Sequence, residues 1–191
     1  MVERREVLKL VPGGIAALLG LQVPCEIATL CAAQELHAQE AAKGFTLGEP
    51  VPFDSGMVIE AGRRTVSEEE IIRFASQYDP QWFHTDPERA RHSRWEGLIS
   101  SGWLTCAIAM ELAVRNVLAD SESIGSPGVE QLKWPNPVRP GDELALRIEV
   151  LEARLSRSGA VGVVRWRWIL TTQRGATVLD AIATSLFQVR A

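Results

Sequence analysis

The feature that most constrains this fold is a single change of hydrophobic period. From Gly102 the chain carries Trp103, Leu104, Ala107, Ile108, Met110, Leu112, Ala113, Val117 and Leu118 at helical spacing, with almost no polar face. A helix of that kind is expected to be buried. Past Asp142 the period becomes two. Leu144, Leu146, Ile148 and Val150 alternate with Ala145, Arg147 and Glu149, and Val164, Trp166, Trp168 and Leu170 alternate with Arg165, Arg167 and Ile169. A third run spans Val178 to Val189, with turns expected at Ser156-Arg157-Ser158-Gly159 and at Gln173-Arg174-Gly175. Long strands joined by short turns make an antiparallel sheet whose apolar face must be covered. Wrapping that sheet around the Gly102 helix covers it with local connections, an α+β arrangement of the hot-dog type. Such a sheet ends in an edge strand, so a homodimer is the expected completion.

Upstream of the helix the signals are local. Glu60 to Val66 reads as a short strand. Ser67-Glu68-Glu69-Glu70 looks like a capping box, and Ile71, Phe74, Ala75 and Tyr78 follow at helical spacing. A helix is therefore predicted from about Ser67 to Tyr78, stopped by Pro80. Asp79 to Ser101 is predicted to be mostly loop, with a short helical turn near Pro87 to His92. Ser101 can cap the Gly102 helix. Pro135, Pro137 and Pro140-Gly141-Asp142 mark the boundary before the strand at Leu144.

Residues 1–44 do not read like the rest, and the globular domain is assigned to 45–191. The paired basic residues Arg4 and Arg5 precede an apolar stretch from Leu10 to about Leu21, then a small-residue region. That order resembles an export leader, with arginines like those of a twin-arginine signal. The alternative is an N-terminal extension. Pro12, Gly13 and Gly14 interrupt the apolar run, so it is too short and weak for a spanning helix, and no membrane partner is expected.

Charge and ligand counts remove further classes. A net charge of -4 lacks the basic surplus that phosphate-backbone binding shows, so nucleic acid is not an expected partner. Cys25, Cys31 and Cys106 have no metal-site spacing, and Cys106 reads as an inert thiol in an apolar helix. The three histidines, His37, His84 and His92, form no zinc-binding pattern. No metal or cofactor is implied.

The richest stretch is Tyr78-Asp79-Pro80-Gln81-Trp82-Phe83-His84-Thr85-Asp86-Pro87. A polar loop tip does not normally carry Trp82 and Phe83. These aromatics suggest that the segment folds back onto the core and holds Asp79 and His84 in a partly dry setting. A carboxylate and an imidazole can there bind one water and exchange protons with it. The plainer reading is a turn aspartate and a surface histidine. Gly97-Leu98-Ile99-Ser100-Ser101-Gly102-Trp103 adds free amides at a helix N-terminus, where an oxyanion is stabilised. Gly102 lets a carbonyl approach closely, or merely lets the helix pack tightly.

Together the Asp79-to-His84 spacing, His84-Thr85-Asp86-Pro87, the Gly97-to-Trp103 segment and Val138-Arg139-Pro140-Gly141-Asp142 resemble the MaoC-like dehydratases, which include (R)-specific enoyl-CoA hydratases. The resemblance runs from about Gly56 to Val189. It implies a hydro-lyase acting at the 2,3 double bond of an acyl-CoA or acyl-carrier thioester. The implied catalytic pair is Asp79 and His84, with the Gly102 amide and Ser101 on the oxyanion and substrate side. A substrate of that kind implies a cytoplasmic location, with export by the twin-arginine-like leader as the alternative. Trp82 departs from the proline common in relatives. The serine that some hydratases place inside the central helix is missing too, with Thr105 as a candidate substitute. Arg89, Arg91 and Arg94 are placed to meet substrate phosphates or to form a solvated face, and His92 reads as surface. Two other readings stay open. One is a hot-dog thioesterase, for which Glu111 is the helix carboxylate; the other is a noncatalytic acyl-thioester-binding dimer.

Overall fold

The computed structural model describes residues 53–119 and 121–189. The leader assigned to residues 1–44, with Cys25, Cys31 and His37, lies outside the described residues.

Five strands form one antiparallel sheet. They are β1 (Val58–Thr65), β2 (Ser123–Lys133), β3 (Glu143–Leu155), β4 (Val161–Thr172) and β5 (Thr177–Gln188), in the order β1-β3-β4-β5-β2. In β4 every second residue from Gly162 to Thr172 is buried, as the period of two requires. Leu144, Leu146, Ile148 and Val150 of β3 are buried beside them. The outward residues pair across strands instead. Arg165 meets Glu130 at 2.8 Å, and Arg167 meets Asp180 at 2.9 Å. Solvent screens such pairs, so burial of the inner face dominates.

The helices are α1 (Glu68–Tyr78), α2 (Trp82–Thr85), α3 (Pro87–Arg91) and α4 (Gly102–Ala113), the last continued by a π-helical turn over Val114–Leu118. Leu104, Ile108, Ala109, Leu112 and Ala113 of α4 share one core with Leu146, Ile148 and Trp166 of the sheet. The hot-dog arrangement expected from the period change is present. Full burial of the helix is not. Trp103, Met110 and Val114 are 58%, 50% and 42% exposed, because one sheet covers only one side of a helix.

Two local expectations are corrected. The segment from Asp79 to Ser101 is mostly loop with the expected helical turn at Pro87–Arg91, but a further helical turn, Trp82–Thr85, precedes it. Asp86 explains the Pro87–Arg91 turn, accepting from the Arg89 amide at 3.0 Å with Pro87 at the first helical position. The capping box of α1 is only half formed. Ser67 Oγ accepts from the Glu70 amide at 3.1 Å, but the Glu70 carboxylate turns to Arg64, a full charge that outcompetes the Ser67 amide.

Strand β2 was not legible as a strand. Its residues from Ser123 to Glu130 are all exposed, so no apolar alternation exists to read. Gly125 and Gly128 take φ +131 and +151, and the pairing with β5 shifts register at each. Among the described residues no helix is long and apolar enough to cross a membrane.

Candidate active site

Asp79 is the C-cap of α1, its amide donating to Ala75 O at 2.9 Å. Pro80 ends that helix, and one turn later α2 carries His84 back over the same spot. The two side chains are 17% and 6% exposed, and His84 Nε2 stands 3.4 Å from Asp79 Oδ2. That separation is too long for a strong direct hydrogen bond.

The surroundings assign the protons. His84 Nδ1 lies 2.8 Å from Ile99 O. A carbonyl only accepts, so Nδ1 carries hydrogen and Nε2 is the atom presented to Asp79. The carboxylate is held at both oxygens by neutral donors. Ser101 Oγ donates to Oδ2 at 2.7 Å, and Gln81 Nε2 donates to Oδ1 at 2.8 Å. Burial alone raises the Asp79 pKa. The bonds from Ser101 and Gln81, with the nearby His84, outweigh it and hold the carboxyl below the usual aspartate range.

Ser101 is fully buried behind the carboxylate, and its Oγ also accepts from the Trp103 amide at 3.2 Å. One hydroxyl therefore caps α4 and grips Asp79. Thr105, the candidate substitute, donates to Ser101 O at 3.3 Å and makes no hydrogen bond to Asp79.

Gly102 lines the same cavity, and among the described residues no acceptor takes its amide. Its missing side chain has a packing reason. A Cβ there would stand 2.7 Å from Trp134 Cε2. The cavity has a volume of about 460 Å³, ordinary for a small-molecule site. Phe83, Trp95, Trp103 and Trp134 wall it, with Asp79, His84, Gln81 and Gly102 as polar points.

Gln81 was given no role from the sequence, and Arg139 was quoted only as part of the Val138–Asp142 motif. Arg139 Nη2 donates to Trp95 O at 2.7 Å, and the Val138 carbonyl accepts from Ser100 at 2.8 Å. Buried Asp142 accepts from the Arg139 amide at 2.8 Å. The Val138–Asp142 segment thus braces the loop that supplies Ile99 O and Ser101 to the site. Its composition, with Arg139, Pro140 and Asp142 around the turn glycine Gly141, was the available signal.

The other candidates lie apart. Arg91 pairs with Glu88, while Arg89 and Arg94 sit over the rings of Trp82 and Trp95 at 4.5 and 5.1 Å. His92 is exposed. Cys106 is a free, half-buried thiol; burial pushes its pKa up and a Trp134 side-chain bond opposes this. Glu111 pairs with Arg64 and Arg115. Among the described residues no group of three or more His, Cys, Asp or Glu is placed to hold a metal ion.

A curved antiparallel sheet wrapped on one side of a single long helix, with a carboxylate and an imidazole beside that helix's tip, defines a protein of the hot-dog class. Within it the chain belongs to the MaoC-like domain family, whose description matches residues 53–169. Among solved structures it is similar to a MaoC-like dehydratase from Rhodospirillum rubrum, at 38% identity and TM-score 0.68, covering 75% of this chain and 99% of that one. It is also similar to a protein from Archaeoglobus fulgius described as a monoamine oxidase regulatory protein, at 28% identity and TM-score 0.69, over 78% of this chain and 99% of that one. A third is the (R)-hydratase PhaJ1 of Pseudomonas aeruginosa, at 25% identity and TM-score 0.61, over 74% and 86%.

Proposed function

We propose that the protein is a hydro-lyase that adds water to, or removes it from, the 2,3 double bond of an acyl thioester carried on CoA or a carrier protein. The observation that carries this reading is the Asp79 carboxylate, anchored by two neutral donors and facing His84 Nε2 across 3.4 Å at a cavity wall. A water bridging that gap is oriented by both groups. His84 Nε2 takes one of its protons as the oxygen bonds to C3. The C2–C3 π electrons shift toward the thioester oxygen, which the free Gly102 amide stabilises. The proton then returns to C2, so the elements of one water are added and no cofactor is consumed. The family and the (R)-hydratase likeness support the reaction class.

The thioesterase reading loses support from Glu111. Its carboxylate is held by the guanidinium groups of Arg64 and Arg115, which suits structure better than activation of water. The Archaeoglobus likeness keeps a noncatalytic, regulatory reading as the alternative. A homodimer is the proposed assembly. Trp103, Ala107, Met110 and Val114 form an exposed apolar stripe on α4, and Ile124 and Val129 are exposed on the β2 edge. CoA and carrier thioesters are cytoplasmic substrates, and that is the proposed compartment.

Incubation with crotonyl-CoA and longer 2-enoyl-CoAs, followed by loss of the enoyl absorbance, tests the proposal. Loss that vanishes in Asp79→Asn and His84→Ala supports hydration. Release of free thiol indicates a thioesterase, and saturable binding without turnover indicates the regulatory reading.

A further inference from the structure

Trp134 is a large apolar residue that lines the cavity and stays 42% exposed. It directly follows β2 and precedes Pro135-Asn136-Pro137, whose two rings stiffen the backbone. Asn136 Nδ2 donates to Thr177 O at 2.8 Å, tying this segment to β5. The indole meets Trp103 edge to face, with centroids 5.5 Å apart and planes at 76°. Its flat side lies on Gly102, with Cε2, Cδ2 and Nε1 all within 3.0 Å of where a Cβ would be. An aromatic ring packed on Gly102 and Trp103 and still facing the cavity forms a wall of it.

Its position decides what the wall touches. If the thioester oxygen accepts from the Gly102 amide, the carbonyl carbon and its two neighbours, sulfur and C2, lie beside Gly102. The indole covers that residue so closely that no Cβ fits between them. The wall therefore stands against the atoms flanking the carbonyl, of which C2 alone can carry a branch, and the far end of the acyl chain is not what it meets. We infer that Trp134 is a specificity-determining residue, and that its indole restricts the site to thioesters unbranched at C2. The inference rests on the acyl-thioester reading of the cavity and adds a substrate class to it.

Binding of saturated thioesters tests this without requiring turnover. Calorimetry compares butyryl-CoA with 2-methylbutyryl-CoA in the wild-type protein, in Trp134→Ala and in Trp134→Phe. A misfitting methyl in an apolar pocket is worth about 10–200-fold. The wild type is expected to bind the branched thioester at least about tenfold more weakly. That ratio is expected to shrink toward one in Trp134→Ala and part of the way in Trp134→Phe, which keeps an aromatic face should the alanine variant fold poorly. Equal binding of both thioesters by the wild type overturns the inference, and so does a ratio unchanged in the folded variants. Binding of neither thioester overturns the inference and the acyl-thioester reading together. A ratio that responds as expected in a protein that fails to hydrate crotonyl-CoA leaves the inference standing and removes the hydro-lyase reading alone.

Discussion

The two ends of α4 each carry a carboxylate beside them, and the two are treated in opposite ways. At the N-terminus Asp79 is held by Ser101 and Gln81, neutral donors that fix its position and leave its charge uncompensated, with His84 Nε2 3.4 Å away across a cavity. One turn from the C-terminus Glu111 is met by Arg64, which also binds Glu70, and by Arg115 at 2.9 Å. The first arrangement orients a charge and keeps it available to a proton. The second neutralises a charge and ties β1, α1 and α4 together. Residue type does not distinguish these two carboxylates; the charge of their partners does.

That contrast can be broken or sharpened by substitution. The largest effect is expected at the cavity end: Asp79→Asn or His84→Ala should lower kcat on crotonyl-CoA by about 10²–10⁴-fold, the range of positioned acid–base catalysis, with an unchanged thermal midpoint excluding unfolding. Next comes Ser101→Ala, which removes a bond that lowers the Asp79 pKa. Because the folded-state value lies below the unfolded one, the carboxylate stabilises the fold above the ordinary aspartate pKa. That contribution fades as pH falls through the folded value. Weakening the depression moves the value up, so the acid limb of the kcat/KM profile should shift to higher pH. A profile that stays in place would show that Ser101 only caps the helix. Gln81→Ala should shift that limb in the same direction by less, since Gln81 is the smaller of the two hydrogen-bond contributions. At the other end Glu111→Gln should leave kcat/KM within about twofold. It should cost about 1 kcal/mol in urea unfolding, because Arg64 is half-buried and keeps Glu70. A large loss of activity there would erase the distinction between the two ends and revive the thioesterase reading. Between these ends lies the open stripe, where Met110→Lys should shift sedimentation toward the monomer if a second copy covers it.

Legibility followed burial. The strands β3 and β4 were readable because their inner residues enter the core and their outer ones meet water, so the pleat writes itself into the sequence. The helix at Gly102 and the Ser101 cap were readable for the same local reason. The edge strand β2 was not, because its residues from Ser123 to Glu130 are all exposed and its pairing shifts register at Gly125 and Gly128. In the candidate site, Asp79 and His84 stood out as titratable groups among aromatics. Gln81 did not, since a glutamine in a polar segment has no distinctive neighbours. Arg139 reaches Trp95 across 44 positions, a separation that no local pattern encodes.

The sequence by itself determined the apolar faces of β3, β4 and β5, where α1 starts and stops and where α4 starts, and which short segment carries a carboxylate and an imidazole. These are set by side-chain period, capping and turn chemistry within a few residues of one another. Only the tertiary structure decided that Ser101, rather than Thr105, grips Asp79, that α4 is bare on one side, and that Trp134 occupies the space a side chain on Gly102 would need. Those facts depend on distances between groups far apart along the chain, and such distances exist only once the sheet has closed on the helix.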